Sequence, residues 1–134
     1  MGHQESDEPI LLRGDNFTPP SRTPWGGRRI RALKGMPPGE PVGESWEVSV
    51  EPSFPSVDGD GRPLSERVSE GWLGGERARG ATALLVKLLD TDDALSVQIH
   101  PSDDAPGLAP DESGKPESWY VVDHAPGAGL YLGL

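Results

Sequence analysis

Gln98 and His100 stand two residues apart in the run 95–101, Leu-Ser-Val-Gln-Ile-His-Pro, and Glu117 follows after a polar loop. Residues two apart on a strand project to the same side. An amide and an imidazole would therefore leave one face together, while Leu95, Val97 and Ile99 leave the other. A carboxylate delivered by the next segment completes a set of amide oxygen, imidazole nitrogen and carboxylate oxygen. Such a mixed set suits zinc and tolerates other divalent ions. Taken bare, the same triplet also describes structural polar residues on the open face of a sheet, and both readings stand at this level.

The elements that must position these residues read as mainly β. Residues 45–50 alternate, with Trp46, Val48 and Val50 on one side and Ser45, Glu47 and Ser49 on the other, the pattern of a strand with one buried face. Residues 83–89 form a second, strongly apolar strand whose single charge is Lys87. A lysine in such a run must be paired or must reach a polar cavity. Further strands are predicted at 9–12, 119–122 and from 130 onward. Leu64, Val68 and Trp72 recur every four residues, which predicts a short amphipathic helix ended at Leu73-Gly74-Gly75. Residues 18–29 and 36–43 are rich in Pro and Gly and read as loops, Asp58-Gly59-Asp60-Gly61 reads as a turn, and residues 102–113 form an acidic rim. Residues 1–8 read as a disordered tail, and 9–134 as one domain or part of one.

Composition narrows the function. A net charge of −10 disfavours nucleic acid and anionic membrane as partners. It also sets any anionic substrate against the overall field, so local cations must hold it. Lys34, Lys87 and Lys115 are the lysines. With no cysteine there is no disulfide, thiolate ligand or thiol nucleophile, which agrees with a cytoplasmic location. The N-terminus has no apolar core of a signal peptide, and no run is long enough to span a membrane.

The run 95–101 and the sequence Gly-Lys-Pro-Glu-Ser-Trp-Tyr at 114–120 together resemble the metal-site signature of the type I phosphomannose isomerases, which have a cupin-type β fold. Trp25-Gly26-Gly27, Gly43-Glu44-Ser45-Trp46-Glu47 and the block 85–90, Leu-Val-Lys-Leu-Leu-Asp, resemble that family's earlier blocks in the same order. The resemblance implies an incomplete cupin-like jelly-roll barrel with a short helix and long loops, and a zinc-dependent isomerase that interconverts mannose 6-phosphate and fructose 6-phosphate. Gln98, His100 and Glu117 would hold Zn2+. Lys87 and Ser96 would face the phosphorylated hexose, with Trp25 and Glu44 at the pocket. Lys115 would be the acid/base or a pocket cation.

A second histidine ligand and a catalytic arginine of the family match nothing up to Leu134. His124 has the wrong strand parity to replace the histidine, and His3 lies in the tail. The resemblance therefore covers the N-terminal portion of the family, and a partial barrel leaves open edges. A second copy or another chain is expected to cover them. A cupin remnant that binds metal or sugar without turnover, and an inactive fragment, are the alternatives.

Overall fold

Strands β1 (Glu44–Val48) and β2 (Val86–Leu89) pair antiparallel in the computed structural model, which describes residues 9–68, 82, 84–110 and 112–133. The chain forms two compact units, Met1–Leu95 and Ser96–Leu134. Both strands belong to the first. Their register sets Glu44 opposite Leu89, Ser45 opposite Leu88 and Trp46 opposite Lys87, with an irregularity before Val48 meets Val86. Single bridges add Phe17 beside Ser45, Gly27 beside Val42 and Gly26 beside Thr91. The architecture is a small sheet, one short helix and long loops, and no barrel closes among the described residues.

The expectation of one buried face on β1 needs correction. Trp46 is buried as expected, but Ser45 and Ser49 on the opposite face are buried even more completely. Hydrogen bonding makes this possible. Ser45 Oγ donates to Glu47 Oε1 at 2.5 Å, and the Glu51 N–H donates to Ser49 Oγ at 3.1 Å. Buried hydroxyls with partners avoid the desolvation cost that would otherwise expel them. Glu47, for its part, reaches Lys34 Nζ at 2.6 Å.

Helix α1 (Arg29–Leu33) falls where the sequence suggests only the end of a loop. It buries Ile30 and is fixed at both ends. At its start the Arg29 N–H, one of the donors that no helical carbonyl can satisfy, donates to the Asp90 carboxylate at 2.6 Å. At its end the Gly35 N–H reaches Ala32 O at 3.0 Å and the Met36 N–H reaches Arg31 O at 2.8 Å. This pair of bonds defines a Schellman stop, and it requires the left-handed backbone that Gly35 adopts at φ 64°.

The other expectations are met in part. The predicted helix beginning at Leu64 is a single 3-10 turn, Leu64–Glu66, and Trp72 with the 73–75 stop lies outside the described residues, as does the 1–8 tail. The expected first strand reduces to one bridge, Leu12 to Asp58. The turn at Asp58 forms as expected, its carboxylate accepting the Asp60 and Arg62 N–H groups at 3.0 and 2.9 Å. Residues 95–101, 119–122 and 130–133 join no strand ladder. A strand exists only through a ladder of hydrogen bonds to a neighbour, and among the described residues these runs make no such ladder. Their apolar side chains are open, with Ile99 and Tyr120 each 90% exposed. No helix among the described residues is long and apolar enough to cross a membrane.

The two glycines after Trp25 are set by close packing. A Cβ on Gly26 would lie 2.4 Å from Gly43 N, and one on Gly27 would lie 2.3 Å from the Asp90 carboxylate that caps α1. Gly27→Ala should therefore lower unfolding stability by about 1–3 kcal/mol through overpacking. Gly59→Ala, where nothing lies within 4 Å of the new methyl, should stay within about 0.5 kcal/mol. Urea unfolding of the two variants checks this, and equal midpoints would refute it.

Candidate functional site

Strand pairing in the first unit brings two of its candidate residues, Glu44 and Lys87, to Trp46. Trp46 lies opposite Lys87, and the Lys87 ammonium sits 4.1 Å from the indole centroid. Glu44, two residues before Trp46 and so on its side of β1, accepts the Trp46 indole N–H at 2.7 Å. Its other oxygen lies 3.4 Å from Lys87 Nζ. The lysine in an apolar strand thus satisfies the condition its sequence sets, with a carboxylate on one side and an aromatic face on the other. Arg22 adds a second cation 4.9 Å from the same ring, and Phe54 closes the cluster edge-on at 5.3 Å.

The Glu44 backbone is itself held. Its N–H donates to Thr18 Oγ1 at 3.2 Å, its carbonyl accepts from the Thr18 N–H at 2.9 Å, and Thr18 is hydrogen-bonded to Thr23 at 2.9 Å. Trp25 follows this threonine, half-buried, with its ring packed over Gly43, where a Cβ would come within 2.9 Å of Cζ3.

In the second unit His100 Nε2 and Glu117 Oε2 approach to 3.1 Å. Lys115 Nζ lies 3.5 Å from the same oxygen, and the Trp119 indole N–H donates to Glu117 Oε1. Burial pushes the Glu117 carboxyl up. The Trp119 hydrogen bond and the charges of Lys115 and His100 outweigh it, so the group stays below the usual carboxylate range. Gln98 donates its amide N–H to Ser96 Oγ at 3.0 Å, which leaves its amide oxygen as the atom able to act as a ligand. Among the described residues no three His, Cys, Asp or Glu side chains gather as a metal set. Two such donors do converge, at His100 and Glu117, and Gln98 would have to supply an amide. The 3.1 Å separation of the pair allows two ligands of one divalent ion and equally a direct imidazole–carboxylate hydrogen bond. Tetrahedral ligands at the usual zinc bond lengths stand about 3.3 Å apart. His124 lies outside this cluster, its ring against Ala125 O at 3.1 Å.

Two participants escaped the sequence reading. Trp46 and Trp119 each hold a candidate glutamate by an indole N–H from two residues downstream. The signal was present, since the tripeptide Glu-Ser-Trp occurs at 44–46 and again at 117–119. In each case a lysine, Lys87 or Lys115, also faces the glutamate.

The first unit thus holds a glutamate–tryptophan–lysine cluster, and the second holds a histidine–glutamate pair with a lysine. Comparisons with known proteins give the family. Residues 22–128 match the phosphomannose isomerase type I catalytic domain, and the chain belongs to this family. The chain is 40% identical over 133 residues to "Mannose-6-phosphate isomerase" of Streptococcus mutans, a match covering 94% of the chain and 40% of that protein. It is 35% identical to "Probable mannose-6-phosphate isomerase GmuF" of Bacillus subtilis over 116 residues, covering 81% of the chain and 37% of the relative. "Mannose-6-phosphate isomerase ManA" of Bacillus subtilis is 33% identical over 105 residues, 74% of the chain and 33% of the relative. The chain thus spans about two fifths or less of the length of these relatives. No solved structure matches.

The hold on Glu117 can be tested by titration. Its lowered pKa contributes stability that is fully present above the ordinary carboxylate range and is lost as pH falls through the lowered value. Trp119→Phe removes the indole donor, so the Glu117 titration should move upward and the acid-side loss of stability should begin at higher pH. Carboxyl NMR titration of the metal-free protein reads both. An unchanged titration would show that the indole does not hold the carboxylate.

Proposed function

We propose that this chain carries the metal and phosphosugar residues of a zinc-dependent aldose–ketose isomerase that interconverts mannose 6-phosphate and fructose 6-phosphate. The observation that carries the reading is the meeting of His100 Nε2 with Glu117 Oε2 at 3.1 Å, inside the two blocks that mark the family. In this reading Gln98, His100 and Glu117 hold Zn2+. The bound ion supplies electrophilic polarisation of the substrate's carbonyl and hydroxyl oxygens.

The chain's own residues supply the rest. The reaction moves one proton between C1 and C2 with no net gain or loss of atoms. Lys115 is the acid/base candidate, since its ammonium already faces the metal-side carboxylate at 3.5 Å. Lys87 and Ser96 take the phosphorylated hexose, Lys87 as the cation that offsets the acidic field of the chain. Glu44 orients Lys87, and with Trp25 it lines the substrate side. Phosphorylated hexose is accordingly the partner, nucleic acid and membrane are not, and the compartment is the cytoplasm.

A second reading is favoured by the open apolar runs at 97–99, 119–122 and 130–132. It makes the chain a metal- or sugar-binding remnant, or an inactive fragment, whose exposed edges a second copy or another chain covers. A coupled mannose 6-phosphate isomerase assay on zinc-loaded protein separates the two. Under the first reading the protein turns over substrate, and His100→Ala lowers turnover by roughly two orders of magnitude or more. Lys87→Met, which keeps an apolar stem over Trp46 but removes the charge, should raise KM by about tenfold or more, the scale of one charge-assisted hydrogen bond. Zinc binding without turnover would establish the second reading.

A further inference from the structure

The His100–Glu117 pair joins two stretches of chain, neither of which belongs to a strand. Something local must fix their spacing. The connection lies immediately beside the pair. The Lys115 N–H donates to Pro101 O at 3.0 Å, and the Gly114 N–H donates to the Asp103 carboxylate at 2.8 Å. Pro101 directly follows His100, and Lys115 stands two residues before Glu117. The two bonds therefore tie the chain just after His100 to the chain just before Glu117.

The approach is close enough to exclude a side chain. A Cβ on Gly114 would lie 2.5 Å from Ser102 C, 2.6 Å from Asp103 N and 2.6 Å from Pro101 O, all of them backbone atoms. The turn that presents Asp103 is closed in turn. The Ala105 N–H donates to Ser102 O at 3.1 Å, and Ser102 Oγ donates to Asp104 Oδ1 at 2.5 Å. That hydroxyl bond is the main cause holding the Asp104 carboxyl below its ordinary range. The segment 101–105 is thus pinned by its own hydrogen bonds and offers one carboxylate and one carbonyl to residues 114 and 115.

We infer that Asp103 and Gly114 are positioning residues for the metal site, forming a backbone clasp that sets the distance between His100 and Glu117. Neither touches the metal. Asp103 acts through the Gly114 amide, and Gly114 acts by having no side chain. The inference rests on the zinc reading of Gln98, His100 and Glu117 but adds residues outside that set.

Zinc affinity, measured on the full chain by competition with a chromophoric chelator, tests it without reference to turnover. His100→Ala defines the site and should lose binding. Asp103→Ala and Gly114→Ala should each weaken binding about 10–100-fold, the range for groups that orient metal ligands. Asp103→Asn keeps an oxygen that can accept the Gly114 N–H and should stay within about threefold of the parent by the same reasoning. This rescue, with amide exchange of Gly114 accelerated in Asp103→Ala and retained in Asp103→Asn, separates positioning from loss of fold. If Asp103→Ala and Gly114→Ala bind zinc like the parent while His100→Ala does not, the clasp is overturned and the metal reading stands. Should Asp103→Asn lose as much affinity as Asp103→Ala, the clasp is likewise overturned. If His100→Ala keeps the parent's affinity, the metal reading fails and the clasp fails with it.

Discussion

The antiparallel pairing of Glu44–Val48 with Val86–Leu89 is the contact on which the first unit depends. It joins stretches about forty residues apart, so its formation must overcome a substantial loop-closure entropy. Once made, it fixes several things together. Trp46 comes to lie opposite Lys87, which gives the lysine its aromatic face. Glu44 is placed where its carboxylate can bridge the indole and the ammonium. Asp90, next after β2, is carried under Gly27, where its carboxylate starts helix α1. A slip of one residue would turn Lys87 to the opposite face of its strand and leave its charge facing Ser45 and Ser49, both already buried and hydrogen-bonded. Register, ion pair and helix start are one constraint seen from three sides.

The two glutamates of the candidate site are held by the same local device. A strand-like spacing of two residues brings a tryptophan to the side of a glutamate, and the indole N–H satisfies one carboxylate oxygen. The second oxygen is left for a cation. In the first unit that cation is Lys87, and the pair leaves the lysine only one-fifth exposed. In the second that cation is Lys115, and the His100 imidazole approaches the same oxygen. An indole N–H is a neutral donor with a single hydrogen, and in both clusters the glutamate takes it.

How much of this was legible in the sequence follows from how local each feature is. The alternation around Trp46 and the apolar run around Lys87 were readable because strand periodicity is written in consecutive residues. Gln98, His100, Glu117 and Lys87 were singled out from residue type, spacing and family resemblance, and the structure brings His100 to Glu117 and Lys87 to Glu44. Helix α1 was not, because its start is supplied by Asp90 from 61 residues away. Its stop at Gly35 was the available local signal. Burial of Ser45 and Ser49 was also hidden, since it depends on partners that alternation cannot name. The strands expected at 95–101 and 119–122 failed for the opposite reason. Their patterns are right, but a pattern supplies no hydrogen-bonding neighbour.

That last failure bears on the site itself. Where a ladder is present, as for Trp46 and Lys87, cross-strand register holds functional groups in place with no further help. Where it is absent, the same task falls to turns and single hydrogen bonds. The second unit shows this substitution. Pro101, Asp103, Gly114 and Lys115 make two bonds beside His100 and Glu117, and the close approach at Gly114 leaves the backbone little room to shift. The glycine and lysine of the 114–120 block then have distinct physical reasons for their types. The first admits the neighbouring backbone, and the second brings an ammonium to the glutamate. A motif that reads as a list of candidate ligands is in this chain also a list of the residues that fix the backbone between them.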